Sequence, residues 1–211
     1  INKLIETKNP TPKILESIMR NFSKISGEPF PKKSELLKVY HKITKNQDER
    51  IVALLTTRPV RSLSGIVNVS VLTKPYPCPG QCIYCPNEKD MPKSYLKSEP
   101  AAMRAAMNNF DPIKQVNVRL KALEMTGHST DKVELRIIGG TWSSYDKNYQ
   151  TNFIKKCFDA CNKKKSKTLA EAQKKNEKAK HRIVGLSVET RPDFINQQEI
   201  ERLRFLGVTS I

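Results

Sequence analysis

The chain has 211 residues, 37% of them hydrophobic, with 38 Lys+Arg against 21 Asp+Glu, which suits one or two small folded domains and not a disordered tail. A mean hydropathy of -0.56, with no run near the roughly 20 apolar residues of a spanning helix, excludes a helical membrane protein. The charged start Ile1 to Thr7 has no apolar core of the kind an export signal carries.

Near the amino terminus, Thr11 and Pro12 form a cap followed by a first-turn proline, and Ile14, Leu15, Ile18 and Met19 recur at helical spacing. A second helix is expected from about Ser34, with Leu36, Leu37, Tyr40 and Ile43 on one face, ending in the polar cluster Lys45 to Glu49. Proline, arginine and serine dominate from Arg58 to Ser64, which marks a linker and a domain boundary. Residues 1–62 therefore read as a small basic helical region, and 63–211 as a second domain.

Ile66 to Leu72 alternates β-branched and polar residues as a strand does, and leads into prolines at 75, 77 and 79. After a cysteine-bearing loop, Pro100 to Met107 and Ile113 to Met125 are rich in helix formers. Val133 to Ile138 is a buried-type strand closed by Gly139 and Gly140. Tyr145 to Asn162 is a helix that turns Tyr149, Phe153, Ile154, Cys157, Phe158 and Cys161 inward. A strand over Ile183 to Val188, a helix over Gln197 to Leu206 and a strand beginning at Val208 complete the order. Strand and helix alternating in this way predict an α/β fold of parallel strands with right-handed crossovers. Three complete units suit part of a (βα) barrel; a small open three-layer sheet is the alternative.

The net charge of +17 is concentrated in two places. Residues 1–62 hold 13 basic and 6 acidic side chains, and residues 162–182 hold 9 and 2. Such blocks attract polyanions, nucleic acid foremost, although a lysine-rich face can also be merely solvated.

Cysteines number five, an odd count, with three of them inside eight residues. This favours metal ligation in a reducing cytoplasm over a disulfide scaffold. Cys78, Cys82 and Cys85 are spaced C-x3-C-x2-C directly after a strand. A structural zinc site takes four Cys or His ligands, and His41 and His128 lie far off in sequence. Three thiolates instead suit a 4Fe-4S cluster whose fourth iron stays open to a chelating substrate. Such a cluster can pass an electron to S-adenosylmethionine and release a 5'-deoxyadenosyl radical. Zinc with a distant fourth ligand, or three structural thiols, are the competing readings. Cys157 and Cys161, four apart on an apolar helix face, read as core, and His128, after Gly127, as a cap or packing residue.

The C-x3-C-x2-C loop with Tyr84 before its last cysteine resembles the radical S-adenosylmethionine superfamily. The flanking text is more specific: Val71 to Pro75, Cys85-Pro86-Asn87, Ser94-Tyr95, Glu99 to Ala105, Gly127 to Glu134, Gly139-Gly140-Thr141, Val188 to Asp193, and the lysine-rich Thr168 to His181. Over about residues 60–211 these resemble the catalytic subunit of Elongator. The resemblance implies a partial radical S-adenosylmethionine barrel, continued in the family by an acetyltransferase domain that this sequence does not contain. It implies an enzyme that builds a carboxymethyl-type group at carbon 5 of the wobble uridine of tRNA, using a 4Fe-4S cluster, S-adenosylmethionine and acetyl-CoA. Cys78, Cys82 and Cys85 correspond to the cluster ligands and Lys132 to an acetyl-CoA contact. By analogy with the wider superfamily, Gly139, Gly140, Thr141 and the backbone of Tyr84 meet S-adenosylmethionine, with Glu189 placed beside them. A Gly-Gly pair also serves a plain tight turn, and Glu189 with Arg191 also reads as a loop-supporting ion pair.

Lys163, Lys164 and Lys165, together with the basic amino-terminal helices, are expected to contact tRNA. A cytoplasmic location follows from the thiols and the missing export signal; no membrane partner is expected, and a homo-oligomer or assembly with Elongator-type subunits stays open. Two other functions compete. One is a different radical S-adenosylmethionine enzyme acting on a small molecule or peptide; the other is a zinc-ribbon-like RNA-binding module.

Overall fold

A computed structural model describes all residues from Ile1 to Ile211. They divide into two compact units, Ile1–Gly65 with Lys121–Ser129, and Ile66–Leu120 with Thr130–Ile211. A single cut at residue 62 therefore leaves out the 121–129 segment, which the sequence assigned to the second domain and the contacts give to the first.

The first unit contains α1 (Asn2–Ile5), α2 (Pro12–Ser26), α3 (Lys33–Ile43) and α4 (Glu49–Leu55). Thr11 caps α2 as its sequence predicts, its hydroxyl accepting from the Ile14 amide at 3.3 Å. Leu4, Leu15, Leu37, Tyr40, Ile51 and Leu55 form the unit's core. Glu49–Leu55, whose first residue closed the expected polar cluster and whose remainder was given no element in the sequence, form α4. Asp48 caps it through the Arg50 amide, and the spacing of Ile51 and Leu55 buries one face.

The second unit is built on three parallel strands, β1 (Val67–Leu72), β2 (Lys132–Ile138) and β3 (Arg182–Val188), in the order β1-β2-β3. Around them lie α5 (Pro100–Met107), α7 (Lys147–Asn162), α8 (Leu169–Asn176) and α9 (Gln197–Leu206). A further helix, α6 (Pro112–Met125), begins in this unit and ends in the other. Burial alternates with a period of two. Val67, Val69, Val71, Val133, Leu135, Ile137, Leu186 and Val188 are buried, whereas Asn68, Ser70, Glu134, Arg136 and Ser187 are not. The polar face carries an ion pair between Arg136 and Glu134 at 3.1 Å. Burial on one face only suits a sheet covered on a single side better than one sandwiched between helix layers. No helix is long and apolar enough to cross a membrane.

The two borders of the sheet differ. In β1 the residues at 68, 70 and 72 turn their backbone groups away from β2, and side chains meet each of them. Arg119 Nε donates to the Asn68 carbonyl and an Arg104 Nη to that of Ser70, both at 3.4 Å. The buried Gln115 carboxamide bonds both the amide and the carbonyl of Leu72, each at 2.9 Å. An edge sealed this way cannot accept another strand without breaking those bonds. On the β3 side, Ser210 pairs with Ser187 in a parallel bridge, so the sheet starts to extend there.

The Gln115 carboxamide satisfies two buried backbone groups that no apolar residue could. Gln115→Leu is therefore expected to destabilise the protein by about 2–4 kcal/mol, because each orphaned buried group costs roughly 1–3 kcal/mol. Thermal or urea unfolding measures this, and a change under about 0.5 kcal/mol, the usual range for an uninvolved surface substitution, refutes the account.

Candidate active site

All three strands run the same way, so their carboxyl ends open onto one side of the sheet, where α/β proteins gather their binding loops. Each strand delivers a different group: Thr73 after β1, Gly139 to Thr141 after β2, and Glu189 to Arg191 after β3. The loops are tied to one another. The Thr73 amide bonds the Ile138 carbonyl at 3.0 Å, the Glu189 amide that of Ile137 at 3.3 Å, and the Trp142 amide that of Glu189 at 2.8 Å.

Tyr145 is the knot. Its hydroxyl lies 2.8 Å from the Thr73 hydroxyl and donates to the Lys74 carbonyl at 2.8 Å. Its ring stacks between Tyr76 at 4.5 Å and Tyr149 at 5.1 Å between centroids. Burial is the main cause that pushes its phenol up to about 12, so it stays a neutral hydrogen-bonding group. Gly139 adopts φ +133°, and a Cβ there would come within 2.1 Å of Thr73 Oγ1, so only glycine allows the β1 and β2 ends this close.

The cysteines lie on the long connection between Thr73 and Glu99, which contains no helix or strand. Cys78 and Cys85 are half-buried and Cys82 is exposed; all five cysteines are free thiols. Different neighbours engage each sulfur of the loop. Cys78 Sγ lies 3.2 Å from the Thr141 hydroxyl and accepts from the Gly80 amide at 3.4 Å. Cys85 Sγ lies 2.6 Å from the Ser94 hydroxyl, and Arg191 Nη1 donates toward Cys82 Sγ at 3.9 Å.

This donor set has the chemistry of a thiolate-ligated cluster: three unpaired thiols on one loop, each faced by a hydrogen-bond donor that suits a charged sulfur. The geometry is another matter. No group of three His, Cys, Asp or Glu side chains converges as metal ligands do. The sequence expectation of a cysteine trio is corrected to that extent: the ligand types share the loop, but each sulfur is drawn to a different partner.

Glu189 joins the same end of the sheet. One carboxylate oxygen accepts from the Tyr95 hydroxyl at 2.6 Å and from the Gly139 amide at 3.4 Å. Burial, then the Glu189 carboxylate, raises the Tyr95 phenol far above its ordinary value, so it remains a donor at any working pH. The expected residues thus separate into two groups. Cys78 with Thr141, and Glu189 with Gly139, form two hydrogen-bonded pairs on the same turn, which Gly140 continues with φ +90°. Tyr84 points to solvent, 86% exposed.

Lys132 opens β2 at the other end of the sheet, about 20 Å from Ile138 for a seven-residue strand. Lys163, Lys164 and Lys165 follow the far end of α7, a helix about 24 Å long for its 16 residues. The lysines therefore do not line the cysteine loop. All three are exposed, and Lys163 Nζ donates to Asn117 at 2.6 Å. Ser94, Tyr95 and Tyr145 were not singled out as site residues in the sequence, although the motif around Ser94-Tyr95 carried part of the resemblance; Arg191 was weighed there with Glu189, for a site role or as its ion-pair partner, and the structure pairs it with Asp193 instead.

No family model matches the chain. It is 46% identical over 191 residues to a tRNA uridine(34) acetyltransferase of Methanocaldococcus infernus, which covers 88% of this chain and 35% of that protein. It is 35% identical over 178 residues to Elongator complex protein 3 of Drosophila melanogaster, covering 78% of this chain and 32% of that one. The chain belongs to the family of the Elongator catalytic subunit. Among other relatives, a tRNA uridine(34) acetyltransferase of Dehalococcoides mccartyi is 48% identical over 151 residues, with 72% of this chain and 33% of the relative covered. The solved structure of Methanocaldococcus infernus Elp3 with an amino-terminal deletion matches at a TM-score of 0.54 and 41% identity, over 69% of this chain and 27% of that one. The chain thus spans about a third of the length of the curated relatives it matches.

The thiols divide sharply by environment. Burial holds Cys157 well above the ordinary thiol value and pushes Cys161 up to about 12, which keeps both protonated. Iodoacetamide at pH 8, read by peptide mass spectrometry, is expected to label Cys78, Cys82 and Cys85 in the folded protein, and Cys157 and Cys161 only after denaturation. Prompt labelling of either helix cysteine would contradict this division.

Proposed function

We propose that this chain is the cofactor-binding part of a tRNA-modifying acyltransferase that builds a carboxymethyl-type group at carbon 5 of the wobble uridine. The cofactors are a 4Fe-4S cluster, S-adenosylmethionine and acetyl-CoA, and the partners include Elongator-type subunits. The three strands form the first part of a (βα) barrel, and the compartment is a reducing one, the cytoplasm. One observation carries the reading: the C-x3-C-x2-C loop sits at the carboxyl ends of the strands, with Cys78 hydrogen-bonded to Thr141 and Glu189 bonded to the backbone of Gly139.

Cys78, Cys82 and Cys85 are the residues that would hold the cluster, which would supply one-electron reduction of S-adenosylmethionine. The chain's own groups bind and orient. Gly139 gives its side-chain space to Thr73, and Gly140 leaves the rest of the turn after β2 without a side chain, where a ligand can approach the backbone. The Glu189 carboxylate is fixed by the neutral Tyr95 hydroxyl and keeps lone pairs for an ammonium or hydroxyl group of the ligand. Stacked Tyr76, Tyr145 and Tyr149 stiffen the floor beneath the loop.

Lys132 stands at the opposite end of the sheet, so an acetyl-CoA contact there is separate from the cysteine loop. Lys163 to Lys165, at the end of α7 away from the cysteine loop, grip tRNA phosphates as positioning contacts do, and the amino-terminal basic helices add phosphate contacts of their own.

Two measurements test this. Anaerobic reconstitution is expected to give about four irons and four sulfides per chain, the content of one such cluster. Cys78→Ala, Cys82→Ala or Cys85→Ala should each lose that iron, and a colourless zinc-containing protein would refute the cluster. Replacing Lys163, Lys164 and Lys165 together by Glu should weaken tRNA binding at least tenfold at low salt and reduce the slope of log affinity against log salt by about 2–3. Unchanged affinity and slope would remove these lysines from the interface.

A further inference from the structure

Arg191 is oriented by a carboxylate two residues along the chain, as Arg50 and Arg136 are, but its free end faces a cysteine. Its Nε and Nη2 are taken by the two carboxylate oxygens of Asp193, at 2.9 and 2.8 Å, a fork that fixes the guanidinium plane. The remaining nitrogen, Nη1, is left to face Cys82 Sγ at 3.9 Å.

The Nη1 end of that group lies against Gly80, midway in sequence between Cys78 and Cys82. A Cβ on Gly80 would stand 2.2 Å from Nη1, 3.1 Å from Cζ and 3.4 Å from Cys78 Sγ. Gly80 is not among the glycines with positive φ. The bare backbone at this position gives the guanidinium its room, and a side chain there would push it aside. A surface ion pair by itself contributes little and accounts for neither the bare backbone nor the direction of Nη1.

We propose that Arg191 is a positioning residue for the cysteine loop and the cation that sets the charge balance of the cluster the loop holds. Asp193 fixes its plane, Gly80 admits it, and Nη1–H donates to the Cys82 sulfur. This rests on the reading of Cys78, Cys82 and Cys85 as cluster ligands. Hydrogen bonds to the sulfurs and nearby charge are the protein's main means of tuning such a cluster's potential. One-electron reduction adds a negative charge beside the guanidinium, so the cation favours the reduced form. Asp193 is 55% exposed and on the far side of the fork, so water screens its opposing charge.

The test is a redox titration of the anaerobically reconstituted protein, with dithionite as the one-electron reductant and electron paramagnetic resonance as the readout. Arg191→Gln is expected to lower the ratio of reduced to oxidised cluster at a fixed potential about tenfold, the size of one lost charge-assisted hydrogen bond. Gly80→Ala should move it the same way by displacing the guanidinium. The double variant should move no further than Arg191→Gln alone, since both remove one contact. Loss of iron from Arg191→Gln with retained circular dichroism, restored in Arg191→Lys, also supports the assignment. An unchanged ratio in Arg191→Gln, or fully additive shifts, overturns it. Absence of iron from the unsubstituted protein instead overturns the cluster reading, so the two failures are distinguishable.

Discussion

The close approach of the β1 and β2 ends governs everything above them. Thr73 lies where a Gly139 side chain would be, and the Tyr145 hydroxyl binds the Thr73 hydroxyl and the Lys74 carbonyl at the same point. This junction fixes the take-off of the cysteine loop on one strand relative to the glycine turn on the next. It is buried and neutral, and therefore insensitive to the charges gathered above it. Without it the distance between Cys78 and Thr141 would have no structural cause.

The strands and most helices were legible because their hydrophobic periods are clean. β1, β2, β3 and α9 fall within a residue or so of where alternation and helical spacing put them. Helix α4 was hidden because seven residues give barely two turns of periodicity, yet Asp48 with Ile51 and Leu55 contained the signal. Helix α8 was masked by its lysines; its start is written in Thr168 and Glu171, which satisfy each other's neighbouring amides as a capping pair. The side-chain sealing of β1 could not be read at all, since Arg104, Gln115 and Arg119 meet strand carbonyls 34 to 51 residues away in sequence.

The site was partly legible for a related reason. Spacing identifies ligand types along a loop, but their convergence depends on contacts with residues far along the chain. Thr141, Ser94 and Arg191 decide where the three sulfurs sit, and Thr141 and Arg191 lie 63 and 109 residues from their cysteines. The distance of the lysines from the cysteine loop was not legible either. Net charge has no address, and a 16-residue helix carries Lys163 to the end of the sheet away from the cysteines.

The unequal borders of the sheet give the second unit a direction of growth. Guanidinium and carboxamide groups close the β1 margin, whereas the β3 margin already receives Ser210. Any enlargement of this scaffold, by evolution or by engineering, is channelled to one flank. The flank formed by β1, whose end leads into the cysteine loop, is left as a permanent boundary.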